Sequence, residues 1–277
     1  MSDFISKKID KKKLFKIKKL FRSRILGFNL DDRRNKRIRN FPDLRKNLSF
    51  CLDLENLIKD DILSLLPKKY RDNSSLQFPM NIRLYNPVNE MLKHSYSTDS
   101  LHTDVWSGAP LNSKQFILYV FADKYSSYCK MYKSLRNKPK YTKFRGKYKN
   151  IKIDKEDLKE IKYKINDGRL IAFDSMCPHF TYYKKNTKSF RISIDFRVKY
   201  GNPYYKNNKR VSKKEFIVSK IGQPGWGYYW KLFNTKFENL NKKIKSELDY
   251  SKFISNYSYD LRKKYISNNL KKYKHII

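Results

Sequence analysis

Cysteine is scarce. Cys51, Cys129 and Cys177 are the three in 277 residues, too few and too far apart for a disulfide framework, and no CxxC pair exists to make a thiolate zinc site. A reduced, cytoplasmic setting is expected. No stretch approaches the roughly 18–20 consecutive apolar residues of a membrane-spanning helix, and residues 1–13 are basic without the apolar core of a secretory leader. Acidic residues are few as well: 26 Asp plus Glu against 64 Lys plus Arg give a net charge of +38. That balance invites a nucleic acid or an anionic membrane through counterion release. Alanine, however, is confined to Ala109, Ala122 and Ala172, beside a large excess of Lys, Asn, Ile, Tyr and Phe. Such usage belongs to an AT-rich genome, in which lysine accumulates on every solvated face. No RNA-recognition motif or zinc finger focuses the charge. It is read as a lysine-coated surface, and a nucleic-acid partner is not expected.

Hydrophobic residues make up 39% and aromatics 16% of the chain, enough for a packed core. The first 48 residues hold 17 Lys plus Arg against five acids, and Leu14, Phe15, Ile17, Leu20, Phe21 and Ile25 recur at near-helical spacing over 11–26. This basic amphipathic helix could touch an anionic surface peripherally; the reading taken is that it covers a neighbouring domain. A second helical pattern runs over 53–66 and stops at Pro67. Over 82–198 the chain reads as short strands, clearest at 115–121, 169–173 and 189–198, with Asn166-Asp167-Gly168 as a turn of the kind that favours positive φ. The expected organisation is a basic helical region over 1–78 packing on a strand-rich core over 79–232, then a polar helical tail over 233–277. A lysine- and tyrosine-rich insertion at about 125–164 is read as a solvated loop, with a lid as the alternative. The aromatic and glycine-rich segment at 222–230 either wraps the site or forms a tight turn.

Chemistry concentrates in two places. In Leu101-His102-Thr103-Asp104, His102 and Asp104 stand two apart, a spacing that on an extended strand sends both side chains to one face, toward a shared cation or toward each other. In the second, Cys177-Pro178-His179 precedes a strand in which Phe190, Ile192, Ile194, Phe196 and Val198 alternate with Arg191, Ser193, Asp195 and Arg197. By pattern alone the polar face reads first as plain solvent exposure; a barrel that holds an anionic ligand would need the same arrangement with Arg191 inward. Two imidazoles and one carboxylate suit non-haem Fe(II). Cys177 is read as a buried thiol, Trp106 as a packing residue, and His94 and His275 as non-ligands. Arg197 either supports Arg191 or faces water.

The order HxD, a DG turn, Phe173-Asp174, His179, Asn186-Thr187 and then Arg191-x-Ser193-x-Asp195-x-Arg197 resembles the 2-oxoglutarate- and Fe(II)-dependent dioxygenases. Within them, the string from His102 to Gly108 with Pro110, together with the string from Arg191 to Arg197, is similar to the StrG-type proteins of streptomycin biosynthesis, which are phytanoyl-CoA-dioxygenase-like. The likeness spans roughly 80–230. It implies a mainly β fold with flanking helices, built on a double-stranded β-helix or jelly roll. It also implies His102, Asp104 and His179 as iron ligands, Arg191 on the distal carboxylate of 2-oxoglutarate with Ser193 beside it, and O2 as cosubstrate. The presence of Asp104, where related halogenases carry a small residue, implies hydroxylation or another oxidation of a small molecule such as a sugar, nucleotide-sugar or secondary metabolite. The alternatives are a cupin-like metal-dependent isomerase or hydrolase that ignores 2-oxoglutarate, and a basic nucleic-acid-binding protein.

Overall fold

The computed structural model describes residues 4–25, 38–40, 48–71, 74–78, 80–85, 101–104, 113–134, 158–183, 189–200 and 228–231. In chain order these form β1 (Ile5–Lys8), α1 (Lys11–Ile25), β2 (Ile38–Asn40), α2 (Leu48–Ser64), β3 (Ser74–Phe78), β4 (Asn81–Tyr85), β5 (Ser113–Phe121), β6 (Tyr128–Ser134), β7 (Leu158–Ile161), β8 (Arg169–Asp174), β9 (His179–Tyr182), β10 (Arg191–Tyr200) and β11 (Tyr228–Lys231). The described fold is mainly β, as expected. A large sheet of eight strands runs β1-β8-β5-β10-β3-β11, with β4 also on β10 and β2 on β4; a small sheet runs β7-β6-β9.

Strand β10 is the organising element. Its even-numbered Ile192, Ile194, Phe196 and Val198 face one core with Leu76, Ile82, Leu84, Phe116, Leu118, Val120 and Leu170, and α1 and α2 close that core with Ile17, Phe21, Phe50, Leu54 and Ile62. Phe116 and Phe196 stack at 5.3 Å. The opposite face of the same sheet contributes Ile117, Tyr119, Ile171 and Phe173 to a second cluster with Cys129 and Met131 of β6. Both faces of the large sheet are therefore covered, and the odd-numbered Arg191, Ser193, Asp195 and Arg197 are buried at 0–4% exposure. Solvent exposure of that polar face, open on pattern alone, is excluded. Phe190, just before the strand, is 49% exposed instead of joining the apolar face.

The N-terminal helix packs on the core. Asp10 caps it, its carboxylate accepting from the Lys13 amide at 3.1 Å, and Lys7 and Lys13 both reach Asp61 of α2. One member of the expected apolar face is misplaced, since Phe15 is 64% exposed and Leu14, Ile17 and Phe21 do the packing. The second helix starts at Leu48, five residues before the expected Asp53.

The largest correction concerns the insertion at 125–164. Its two ends are strands, β6 and β7, paired with each other and, through β6, with β9. The alternation was masked by lysine and tyrosine: Cys129 and Met131 turn inward, whereas Lys130 and Tyr132 turn outward and ring the sheet with Phe180 and Tyr182. Residues 135–157, where a lid would lie, are outside the described residues, as are 222–227 and the 233–277 tail; 228–231 forms β11 at the end of the large sheet. Among the described residues no helix is long and apolar enough to cross a membrane.

The Asn166-Asp167-Gly168 turn ties these layers together. Gly168 has φ 76°, donates to the Tyr119 carbonyl and accepts from the Ile9 amide. A Cβ there would stand 3.0 Å from Leu14 Cδ2. Gly168→Ala is expected to cost about 2 kcal/mol from left-handed strain plus displacement of α1, read as a lower urea midpoint at unchanged slope.

Candidate metal centre

The site is built where the segment 101–104 meets the start of β9. His102 and His179 exchange two backbone hydrogen bonds, His102 N–H to His179 O at 3.0 Å and His179 N–H to His102 O at 2.8 Å. That is the hydrogen-bonded pairing of an antiparallel ladder, which puts directly opposed side chains on one face. The two rings accordingly lie 4.4 Å apart. The HxD segment does not form a strand of its own; the bridge at His102 does the positioning. Asp104 then reaches the same point, and one ligand atom from each of His102, Asp104 and His179 lies within 4.8 Å of the others, all three residues buried.

The protonation states suit a cation. His179 Nδ1 lies 2.8 Å from the Cys177 carbonyl, which can only accept, so Nδ1 carries the proton and Nε2 presents its lone pair. Nε2 is 4.0 Å from Asp104 Oδ1. Burial lowers the His179 pKa despite the neighbouring Asp104 carboxylate, which keeps the ring neutral. Burial also opposes the charge on Asp104, but the Arg197 guanidinium and the two imidazoles outweigh it and bring its pKa to about 2. Arg197 is thereby placed: its Nε donates to Asp104 Oδ2 at 3.1 Å and its Nη2 lies 2.7 Å from Oδ1. It neither faces water nor supports Arg191. Cys177 is a buried thiol pushed up to about 12 by burial and hydrogen-bonded to the Tyr132 carbonyl at 3.3 Å, and does not compete as a thiolate.

Arg191 sits on the same face of β10. It is 2% exposed, donates through Nη1 to the Ser127 carbonyl at 3.0 Å and lies 3.5 Å above the Tyr85 ring. Its Nε has no hydrogen-bond partner. Among the described residues the other two arginines of this face have carboxylates, buried Arg197 with Asp104 and half-buried Arg83 with Asp195 at 3.1 Å, while Arg191 has no ion pair. Ser193, expected beside it on a ligand, donates its hydroxyl to Asp195 Oδ1 at 2.9 Å. Tyr119 and Tyr163 close the far side: Tyr163 donates to the Cys129 carbonyl at 2.7 Å, so Tyr119 is the donor in their 2.8 Å contact and accepts from the Cys129 amide.

The sequence reading missed Arg83, Tyr85 and Ser127. The first two were within reach, because Ile82 and Leu84 alternate with Asn81, Arg83 and Tyr85 as in β10, and β4 pairs with β10 so that Tyr85 stands opposite Arg191 and Arg83 opposite Ser193. Trp106, Pro110, His94, His275 and the Asn186-Thr187 pair lie outside the described residues.

No family model and no curated protein matches the chain. Several solved structures are similar in shape. AviO1 from Streptomyces viridochromogenes Tue57 is 11% identical, with 72% of this chain and 90% of that one covered at a TM-score of 0.47. HygX from Streptomyces hygroscopicus, solved with nickel, 2-oxoglutarate and hygromycin B, is 12% identical over 76% and 89% at 0.42. The non-heme monooxygenase ThoJ in its nickel complex is 12% identical over 96% of both chains at 0.46. These are distant likenesses, and the function is read from this chain's own residues.

Proposed function

We propose that this protein is a non-haem Fe(II)- and 2-oxoglutarate-dependent oxygenase with a jelly-roll core, acting on a small molecule in a reduced, cytoplasmic setting. Within that class the two motifs resemble those of the StrG-type proteins. The observation that carries the reading is the pairing of two features on one buried face: a donor set of His102, anionic Asp104 and neutral His179, and a buried guanidinium, Arg191, with no carboxylate among the described residues. A buried charge of this kind is costly unless a ligand pairs with it, and a planar guanidinium suits a carboxylate. A metal-only isomerase would leave Arg191 without a task.

His102, Asp104 and His179 would hold the metal by one side, and Arg191 would hold the far carboxylate of 2-oxoglutarate over Tyr85. Iron bound there with 2-oxoglutarate and O2 supplies an oxidant strong enough to take hydrogen from a C–H bond. The chain's own part is positioning: Cys177 O fixes the His179 tautomer, Arg197 fixes Asp104, and the two clusters flanking the large sheet keep the site dry. Purified protein supplied with Fe(II), ascorbate, O2 and 2-oxoglutarate is expected to release succinate at a slow uncoupled rate. His102→Ala is expected to abolish that release. Succinate formation that persists in His102→Ala would remove the triad from the reaction.

A further inference from the structure

The contact between Arg197 and Asp104 constrains how that carboxylate can meet a metal. The guanidinium approaches through its Nε and Nη2 edge, Nε to Oδ2 at 3.1 Å and Nη2 to Oδ1 at 2.7 Å. The two nitrogens thus meet the two oxygens side by side, along the open edge of the carboxylate. A metal ion chelated by both oxygens of a carboxylate occupies that same edge. With Arg197 in place, an ion is left an outer lone pair of a single oxygen, and Oδ1 is the oxygen 4.0 Å from His179 Nε2. The guanidinium is not free to withdraw. Both side chains are 4% exposed, Arg197 stands opposite Gln115 of β5, and its neighbours Phe196 and Val198 are anchored in the core beneath the sheet.

We propose that Arg197 is a positioning residue that restricts Asp104 to donating one oxygen to the metal, so that the coordination position a second oxygen would fill stays available to an exogenous chelating ligand. The inference rests on the metal-centre reading above. It assigns the two arginines of β10 different tasks: Arg191 binds the ligand's far end, and Arg197 keeps room for its near end.

The discriminating variant is Arg197→Lys, which retains a cation beside Asp104 but cannot form the two-pronged contact. Anaerobic Co(II) is the probe, with the visible spectrum, Co(II) affinity, 2-oxoglutarate affinity and thermal melting as readouts. Arg197→Lys is expected to melt near the wild type and bind Co(II) with an altered spectrum, and to need at least about tenfold more 2-oxoglutarate, in line with the usual effect of residues that orient metal ligands. A merely structural role would lower the melting temperature and leave the spectrum and 2-oxoglutarate affinity of the folded fraction unchanged, which would overturn the proposal. Should Arg197→Lys fail to fold, the wild type decides alone: its infrared carboxylate bands on Co(II) binding, assigned with 13C-aspartate, are expected to show the wide splitting of single-oxygen ligation, and the narrow splitting of two-oxygen chelation would contradict it. If wild-type protein binds no Co(II), the metal-centre reading itself falls and the inference falls with it.

Discussion

Arg191→Met is expected to raise the 2-oxoglutarate concentration needed for half-saturation roughly a hundredfold while leaving the unliganded protein as stable as the wild type or about 1 kcal/mol more stable. The two effects have one origin. The guanidinium is 2% exposed and its Nε is unpartnered, so in the unliganded protein its desolvation is offset by the Ser127 carbonyl and the Tyr85 and Tyr119 rings, with no carboxylate among the described residues. Methionine fills similar space without a charge to desolvate. With ligand present the balance reverses, because two charge-assisted hydrogen bonds to a carboxylate are worth about 3 kcal/mol. Thermal melts with and without 2-oxoglutarate, in Mn(II), measure both. A variant that loses stability and keeps its ligand affinity would mean that Arg191 is a structural residue.

Asp104→Ala is the second large effect, and the expected sign differs. Removing the carboxylate leaves Arg197 buried and uncompensated, which costs about 3–5 kcal/mol, and it also removes one of the three proposed metal donors. The double variant Asp104→Ala with Arg197→Met removes both charges and is expected to recover most of the stability, since replacing a buried pair with apolar groups is often neutral, but none of the metal binding. Urea denaturation of the single and double variants closes the cycle. If Asp104→Ala alone is as stable as the wild type, the Arg197 pair is not the buried contact described here.

The sequence disclosed much of this and hid some of it for identifiable reasons. Strand β10 was legible because Ile192, Ile194, Phe196 and Val198 alternate strictly, yet alternation cannot say which face meets water; burial of Arg191 and Arg197 depends on β4, β5 and β6 arriving from elsewhere in the chain. The cluster of His102, Asp104 and His179 was legible once the motif order was taken together. What brought them to one point, a two-bond bridge between residues 77 apart, has no local signature. The small sheet was hidden by composition, since Lys130, Tyr132, Lys159 and Glu160 make β6 and β7 look like solvated loop, and only Cys129, Met131 and Ile161 mark the inward face. Arg197 was seen and left without a role for the same physical reason: an arginine three residues from the end of a strand declares its charge, and its partner becomes known only when Asp104 is placed.

The central claim is that the buried triad and Arg191 form one chelating site. Anaerobic titration of the protein with Fe(II) and then 2-oxoglutarate, watching for the visible metal-to-ligand charge-transfer band, tests it most directly. The band is expected in the wild type, to be absent in His179→Ala, and to require far more 2-oxoglutarate in Arg191→Met. Iron that binds to the wild type without any such band on adding 2-oxoglutarate would contradict the account and leave a metal site with a different chemistry.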